Sequence, residues 1–404
     1  MRANIALLLA GGLTVSLLPA ATVATPNPTF SKDIAPIFNA RCVECHRAGE
    51  LAPMSLTNYE DARPWAKAIR ENVVRRVMPP WLADPAHGEF RNDRRLPQPE
   101  IDTIVSWVNA GAPEGDRKDL PAAPHFEQGW NIGKPDAVFE MSAGYAVPAQ
   151  GVVPYKYFRV PTNFTEDRWI QAAEARPGNR KGVHHIVIFL EEAGKPVDFA
   201  EATSFFTGYA PGSRPTQLEP GVAKLVKAGS TLVFQMHYTP TGTAFTDRSY
   251  VGVKFATAPP QRMAVTDKAL NFAFRIPAND PNYEVKSTWT ATKEVSLEAL
   301  LPHMHLRGKD FQYTVTFPDG RQQVLLLVPR YDFNWQLGYA LKEPLTLPKG
   351  TRIDCVAHYD NSPNNPGNPD PTKEVRWGDQ TFQEMMVGFL TYTVPVEHAA
   401  LARK

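Results

Sequence analysis

The chain has 404 residues, and its 43 Lys and Arg against 42 Asp and Glu give a formal net charge of +1. This balance provides no basic patch of the kind that nucleic acid requires, so nucleic acid is not an expected partner. The length suits two or three domains. The 38 prolines exceed the usual share of about 5% and favour short strands joined by irregular loops.

Residues 1–24 have the pattern of a secretion signal. Arg2 precedes an apolar stretch that ends in small residues near Ala21 and Ala24, where signal peptidase would cleave. A retained membrane anchor is the alternative, although the apolar run is short for a span of about 20 residues. No later segment is long and apolar enough to cross a bilayer, so we expect an exported protein without stable membrane insertion.

The sequence RCVECHRAG has the spacing that binds haem c. In C-x-x-C-H, the thiols of Cys42 and Cys45 form thioethers with the haem vinyl groups, and His46 is the proximal ligand of the iron. A thioredoxin-type redox pair and half of a zinc site are the alternatives, but zinc would need a second ligand pair that the surrounding segment lacks. A haem c behind a short export signal predicts a periplasmic protein of a bacterium.

Three helices are predicted around this motif. The first carries Phe38 on its apolar face and has Ser31 as its candidate cap. The second runs up to Pro79, and the third ends at Gly111. Three helices around a haem are enough for a small cytochrome c.

The order of these elements resembles class I cytochromes c, over residues 27–115. In that family a methionine binds the iron on the distal side, and Met78 in the sequence VMPPW matches its position. A thioether at this position raises the haem potential. Met54 is the competing ligand, and a position in the apolar core is the alternative for Met78.

The rest of the chain consists of short β-branched and aromatic runs separated by turn residues. Residues 116–135 are rich in Pro, Gly and charge and are predicted to be a linker. The remaining length suits two β-sandwiches, residues 136–262 and 263–398. The predicted fold is therefore mainly β, with a small all-α domain in front of two sandwich domains.

Five of the ten histidines lie in three apolar strand contexts, where an unpaired imidazole is costly unless something binds it. Each one alone suits a hydrogen-bonded core histidine, but together they indicate metal binding. Side chains alternate along a strand, so His303 and His305 face the same way. His184 and His185 point to opposite faces and can share a metal with His237 only at a strand end or a bulge.

The donor types favour copper. Imidazoles without carboxylate partners suit copper or zinc, and a thioether would select copper. The sequence QEMM offers Met385 and Met386, which point to opposite faces of a strand, so only one can bind. Gly182, just before the adjacent histidine pair, permits a bulge there.

This pattern resembles the copper type II, ascorbate-dependent monooxygenases, the family of peptidylglycine α-hydroxylating monooxygenase and dopamine β-monooxygenase. In that family, an adjacent His-His pair and a His in a Q-x-H-Y strand hold one copper, and an H-x-H pair with a methionine that follows Glu holds the other. The resemblance covers residues 135–395. It implies one copper at His184, His185 and His237 and a second at His303, His305 and Met385.

The family fold is a pair of jelly-roll sandwiches with one copper on each and a solvent-filled cleft between them. The resemblance implies that a C–H bond is hydroxylated with O2 at the copper bound by methionine, so that His303, His305 and Met385 are the catalytic ligands. The other copper would store and deliver the second electron.

The substrate-binding residues of the peptide-amidating member of the family are replaced here. Its arginine, asparagine and tyrosine, which hold the carboxylate of the substrate, correspond to Leu301, Val387 and Phe389. A carboxylate left unpaired at that place is costly, so peptidylglycine is not the expected substrate and an apolar pocket is expected. Cys355 has no cysteine partner once haem takes the other two and is expected to be a buried strand residue.

The sequence thus predicts a copper monooxygenase that acts on an apolar or uncharged small molecule with O2. Two copper ions and one covalently attached haem c are the expected cofactors, and a reductant or redox protein would donate electrons to the haem. A haem- and copper-binding electron-transfer or copper-handling protein without oxygenase activity is the alternative. A zinc hydrolase is disfavoured because no Glu or Asp lies at ligand spacing among the histidines to act as general base.

Overall fold

A computed structural model describes residues 27–50, 52–126, 129–197 and 204–396. The predicted signal peptide, residues 1–24, lies outside the described residues. The chain is mainly β, as its sequence predicts, with a few short helices near the start of the described part.

The helices confirm the predicted order, with different ends. A π-helical turn and two 3₁₀ turns flank four α-helices: the π turn Phe30–Ile34, α1 Ala35–Arg41, α2 Tyr59–Ala62, the 3₁₀ turn Arg63–Trp65, α3 Ala66–Val74, α4 Gln98–Asn109 and the 3₁₀ turn Arg117–Asp119.

Two details of the helix predictions were wrong. The cap of the first helical segment is Thr29, whose side chain accepts from the Lys32 amide, whereas Ser31 is buried two residues later with its hydroxyl unpartnered. The second predicted helix is interrupted at Arg63–Trp65, because proline inside a helix removes a backbone donor, and it ends at Val74, well before Pro79.

The four helices share one apolar core. Phe38 of α1, Ile69 of α3 and Trp107 of α4 are buried in it, and Trp107 packs edge-on against Phe38. Gly111 ends α4 with a φ of +89°, a left-handed conformation that glycine adopts without strain. We call α1–α4 with their turns the helical unit; whether it is a cytochrome c stays a prediction.

The described strands, in chain order, are β1 Ala137–Glu140, β2 Tyr145–Val147, β3 Lys156–Pro161, β4 Arg168–Arg176, β5 Val183–Glu191, β6 Phe205–Tyr209, β7 Thr216–Gln217, β8 Val222–Val226, β9 Thr231–Tyr238, β10 Phe245–Asp247, β11 Tyr250–Phe255, β12 Arg262–Leu270, β13 Arg275–Ile276, β14 Tyr283–Thr290, β15 Val295–His303, β16 Gly308–Thr316, β17 Gln322–Val328, β18 Tyr339–Leu347, β19 Arg352–Tyr359, β20 Val375–Arg376 and β21 Val387–Pro395.

One nine-stranded sheet runs through both halves of the β region, in the order β1-β11-β4-β8-β12-β21-β15-β18, with β7 beside β4. Strands β1–β11 form what we call the first β unit, and strands β12–β21 form the second β unit. The halves of the sheet meet where β8 pairs in parallel with β12, Val222 opposite Arg262 and Ala223 opposite Met263. The other large sheets are β3-β9-β5-β6 in the first β unit and β14-β19-β16-β17 in the second.

Each β unit has its own apolar core between two layers of strands. In the first, Val251 of the nine-stranded sheet and Phe234 of the four-stranded sheet belong to one cluster. In the second, Leu390 of the nine-stranded sheet and Phe311 of the four-stranded sheet likewise belong to one apolar cluster. Two packed layers around a core are what strands with one apolar face require.

A segment between α3 and α4 packs into the second β unit rather than into the helical unit. Trp81 and Phe90 are buried in the core of the second β unit, where both rings contact Tyr339 at centroid distances of 5.0 and 5.5 Å. Backbone bonds add to this contact, such as the Asp84 amide to the Leu327 carbonyl at 2.8 Å. The helical unit is therefore tied to the second β unit by its own chain.

Among the described helices, none combines the length and the apolar character that crossing a bilayer requires.

A buried lysine lies next to the junction of the two β units. Lys224 of β8 donates to the Phe205 and Phe206 carbonyls and to Oγ1 of Thr266 on β12. Burial lowers its pKa from 10.5 to about 7. The folded chain thus releases this proton near pH 7, whereas the unfolded chain keeps it up to about pH 10.5.

The contribution of Lys224 to stability should therefore rise with pH between 7 and 9, because its amine binds more protons in the unfolded state in this window. We expect Lys224→Met to remove a slope of up to about 1.4 kcal/mol per pH unit, measured as the free energy of unfolding in urea at each pH. Lys227→Met, a half-exposed neighbour paired with Glu192, is the control and should keep the slope. Equal slopes in the Lys224→Met variant and the parent chain would contradict this expectation.

Candidate metal centre

Three histidines converge on neighbouring strands of the first β unit. The pairing of β5 with β9 shifts between Val183 and His185, so that Val183 lies opposite Tyr238 and His185 opposite His237. His184 is the extra residue of this bulge, which brings its side chain to the same side as its neighbour. Of the two arrangements that the sequence allowed, a strand end or a bulge, the register shift indicates a bulge, and the three imidazoles form the first histidine group.

The first histidine group, His184, His185 and His237, has the geometry of a metal site. One ligand atom from each residue lies within 4.8 Å of the others. The Nδ1 atom of His185 is 3.4 Å from that of His184 and 3.3 Å from that of His237. Three imidazole nitrogens at this spacing are a donor set for copper or zinc.

Burial keeps these imidazoles neutral. Desolvation lowers the pKa of His237 to about 3, with a smaller contribution from the charge of His184. Desolvation also lowers the pKa of His185 well below its usual value and lowers that of His184. A neutral imidazole has a free lone pair, which is the form that binds a metal.

Gly182, just before the bulge, is required for a different reason from the one predicted. A Cβ atom there would lie 1.9 Å from a ring atom of Phe245. The glycine therefore allows the close approach of this ring.

The second histidine group, His303 and His305, lies at the end of β15. The strand ends at His303, and His305 follows two residues later, with the ring centroids 5.2 Å apart and the rings nearly perpendicular. Met304 points to the other side and is fully buried in the core of the second β unit, as the alternation predicts.

Hydrogen bonds orient both rings through Nδ1. Nδ1 of His303 bonds Oε1 of Gln336 at 2.7 Å, and Nδ1 of His305 lies 3.3 Å from the Gln383 carbonyl. Nε2 of His305 is buried and has no protein partner. A buried polar atom without a partner is costly, so this orphaned nitrogen fits a metal ligand whose tautomer is set by the Nδ1 bond.

A buried carboxylate joins the H-x-H segment to the segment with the methionines. Glu384 accepts from the His305 amide at 2.8 Å and from the Arg307 amide at 2.6 Å. Burial raises the pKa of Glu384 to about 8, against the opposing effect of these bonds. Because Met385 follows Glu384 directly, the carboxylate holds the methionine segment beside the second histidine group.

The two candidate methionines have different surroundings. Met386 is fully buried in the core, and its sulfur accepts from the Ser287 hydroxyl at 3.1 Å. Met385 is only partly buried, and its carbonyl accepts from the Tyr359 hydroxyl at 2.7 Å. Met386 is therefore part of the core, and Met385 stays the predicted ligand.

The two histidine groups face each other across Phe333. The ring of Phe333 stacks on His184 at 5.0 Å and meets His305 edge-on at 6.0 Å. One aromatic ring therefore contacts an imidazole of each group, and the groups are close enough for His303 and His305 to lower the pKa of His185. The sequence offered no signal for Phe333 or Gln336, because both lie in an irregular loop.

The predicted substrate pocket residues lie close to the second histidine group. Phe389 is 6.4 Å from the ring of His303 and pairs with Leu301 across β21 and β15, and Val387 pairs with His303. The strand neighbours of His303 are therefore apolar, whereas the Gln336 side chain bonds its Nδ1.

The C-x-x-C-H motif forms a turn at the end of α1. Cys42 and Cys45 follow α1, and the His46 amide bonds the Cys42 carbonyl at 2.9 Å. Nδ1 of His46 lies 3.3 Å from the Met54 carbonyl, which leaves Nε2 available for iron. Within the described residues, Met78 is assigned to none of the apolar cores, whereas Met54 packs against that of the helical unit.

The haem motif contacts the first β unit. Arg214 forms an ion pair with Glu44 at 2.7 Å, and Arg180 forms one with Glu50 at 3.0 Å. Arg180 lies four residues before His184 in the chain. Glu44, between the two cysteines, thus contacts the segment between β6 and β7, and Glu50, after the motif, contacts the segment just before β5.

Cys355 is a fully buried, free cysteine of β19, as predicted. Burial raises the pKa of its thiol, so it is unreactive. His358 on the same strand bonds Asp310 at 2.7 Å.

No protein-family model matches the chain. No curated protein matches it either. Among solved structures, the chain is similar to the one described as the STIV MCP, with 8% identity and a TM-score of 0.33 over 66% of this chain and all of that one. The major capsid protein P2 from bacteriophage PM2 has 7% identity and a TM-score of 0.28 over 65% of this chain and 98% of that one. Allantoicase from Saccharomyces cerevisiae has 8% identity and a TM-score of 0.16 over 54% of this chain and 79% of that one. TM-scores this low do not establish a shared fold.

Gln336→Leu should weaken copper binding at the second histidine group by about 10- to 100-fold, because the Nδ1 bond that orients His303 is lost. The first histidine group should be unaffected. Copper titration of metal-free protein, followed by the EPR spectrum, measures both affinities. Gln235→Leu is the matched control: it makes the same change on β9, beside the first group, and should leave the copper affinity of the second group unchanged. A normal affinity at the second group in Gln336→Leu would show that its hydrogen bond does not position His303.

Proposed function

We propose that the protein is an exported copper-dependent monooxygenase. It hydroxylates a C–H bond of an apolar or uncharged small substrate with O2. Each histidine group holds one copper, Met385 completes the second site, and a haem c on the helical unit supplies electrons. The proposed setting is the periplasm of a bacterium.

The observation that carries this proposal is the pair of histidine groups that face each other across one ring. His305 Nε2 is buried without a partner, and the ligand atoms of the first group lie within 4.8 Å of one another. Storage of a metal needs one such group. Two groups of different composition, placed side by side, suit a reaction that takes electrons from one site and uses them at the other.

The residues of the second site favour a particular metal and a particular substrate. A thioether beside two imidazoles favours Cu(I). Bound copper supplies the one-electron chemistry that activates O2 for removal of hydrogen from carbon. The protein contributes neutral, oriented imidazoles and an apolar surrounding in which a charged substrate group would be unpaired.

The β units fit the proposed family fold. Each has two layers of strands around one core, and each carries one histidine group. We assign residues 136–262 and 263–398 to two jelly-roll sandwiches of the copper type II monooxygenase family. This assignment rests on the ligand pattern and on the topology of the two units, since no sequence relative supports it.

The helical unit is assigned to a cytochrome c with His46 and Met78 as iron ligands. A bound haem supplies one-electron transfer. The support for an electron route is the ion pairing of Glu44 and Glu50 with arginines of the first β unit. Exposed ion pairs are worth little stability, but several of them fix an orientation.

Met385→Leu tests the proposal. The whole chain is used, because removal of residues 27–115 would take Trp81 and Phe90 out of the core of the second β unit. With copper and ascorbate supplied, oxygen uptake that depends on an apolar substrate should fall at least about tenfold, since leucine offers no sulfur. Met386→Leu is the matched control and should stay within about twofold, because this swap conserves core volume. An oxygen electrode with a panel of apolar substrates, beginning with toluene, gives the measurement.

Loss of uptake in Met386→Leu alone would move the ligand to Met386. A parent chain that binds copper and haem yet consumes no oxygen with any substrate of the panel would contradict the oxygenase proposal. It would support the electron-transfer or copper-handling alternative instead.

A further inference from the structure

The loop between β17 and β18, residues 329–338, brings Phe333 into contact with both histidine groups. The ring lies face to face with His184, with an angle of 13° between the planes, and meets His305 at 85°. One side chain therefore contacts a candidate ligand of each site.

This loop is held by hydrogen bonds on both sides of Phe333. The Tyr331 hydroxyl donates to the Met304 carbonyl at 2.8 Å and accepts from the Met304 amide at 3.2 Å. Gln336 bonds Nδ1 of His303 at 2.7 Å. Because Met304 lies between the two residues of the second histidine group, the loop and that group form one rigid piece.

The other end of the loop is pressed against the first β unit. A Cβ atom at Gly212 would lie 2.9 Å from a ring atom of Trp335, so the indole covers this glycine. The Gly212 carbonyl in turn accepts from Arg94 at 2.8 Å. Phe333 is thus placed from both β units, and moving it would disturb several contacts at once.

Aromatic rings also border the second site on another side. Phe389 lies 6.4 Å from His303, and Phe205 of the first β unit lies 5.9 Å from Phe389. A substrate that approaches the second histidine group meets these rings as well as Phe333. All of these surfaces are apolar.

We propose that Phe333 is a fixed wall between the two metal sites and the residue that determines the size of the substrate. This inference rests on the proposed function. It adds that the substrate is a small, uncharged molecule no larger than one aromatic ring. A second fused ring would overlap Phe333, which its loop prevents from moving aside.

Phe333→Ala tests the wall, because it removes one ring from between the sites. The probes are toluene, with one ring, and naphthalene, with two, and their binding is followed by the shift of the Cu(II) EPR lines in copper-loaded protein. In the parent chain toluene should bind and naphthalene should not compete with it. In Phe333→Ala the Kd of naphthalene should fall at least about tenfold, and that of toluene should change less than about threefold.

Phe382→Ala is the matched control. Phe382 is 49% exposed, and its carbonyl, which accepts from Arg307, is unchanged by the substitution. This variant should keep the size preference of the parent chain. Phe333→Leu keeps a larger side chain than alanine and should give a ratio of naphthalene to toluene affinity between those of the parent chain and Phe333→Ala. It replaces the alanine variant if that variant does not fold.

An unchanged ratio of the two affinities in Phe333→Ala, with both coppers bound, would overturn the wall and leave the proposed function intact. A parent chain that takes up no copper would instead overturn the proposed function. In that case the same two probes are titrated into metal-free protein, and the imidazole proton signals in NMR report binding at the histidines. The expected change in size preference is the same.

Discussion

Desolvation of clustered imidazoles is the constraint on which the rest of the site depends. In water these rings would be partly charged near neutral pH, but burial lowers their pKa and makes them neutral. An unpaired buried nitrogen reduces stability, so the buried His305 Nε2, which has no protein partner, fits the proposed role of a metal ligand. The bulge at His184, the bond from Gln336 and the carboxylate of Glu384 all serve to hold such rings in place.

Several features of this site follow from the sequence because they depend on local geometry. Two adjacent histidines cannot point the same way in a regular strand, so a shared metal required a strand end or a bulge, and the register shift at His184 provides one. The alternation along β15 likewise predicts that Met304 is buried away from His303 and His305. The mainly β character follows from the short runs of β-branched and aromatic residues.

Other features depend on contacts between distant parts of the chain. The loop that carries Phe333 and Gln336 has no periodic pattern, and only the packing of two β units brings it between the histidine groups. Glu384 matched a motif, but its role as the acceptor for two backbone amides needs the tertiary fold. Ser31 was a reasonable cap by residue type, yet Thr29 takes that place because the helical segment begins earlier.

The N-terminal part of the chain, which contains the helical unit, contacts both β units. The segment with Trp81 and Phe90 is built into the core of the second β unit, and Glu44 and Glu50 pair with arginines of the first. The C-x-x-C-H motif is thereby held against the β strand that leads to His184. This arrangement suits a donor of electrons that shares one chain with its acceptor.

The most direct measurement is the content of copper and iron per chain. Protein made in a periplasm that attaches haem c would be loaded with copper, desalted and measured by elemental analysis. The account predicts about two coppers and one iron per chain, as its donor sets require. Iron alone, with zinc or no metal at the histidines, would contradict it.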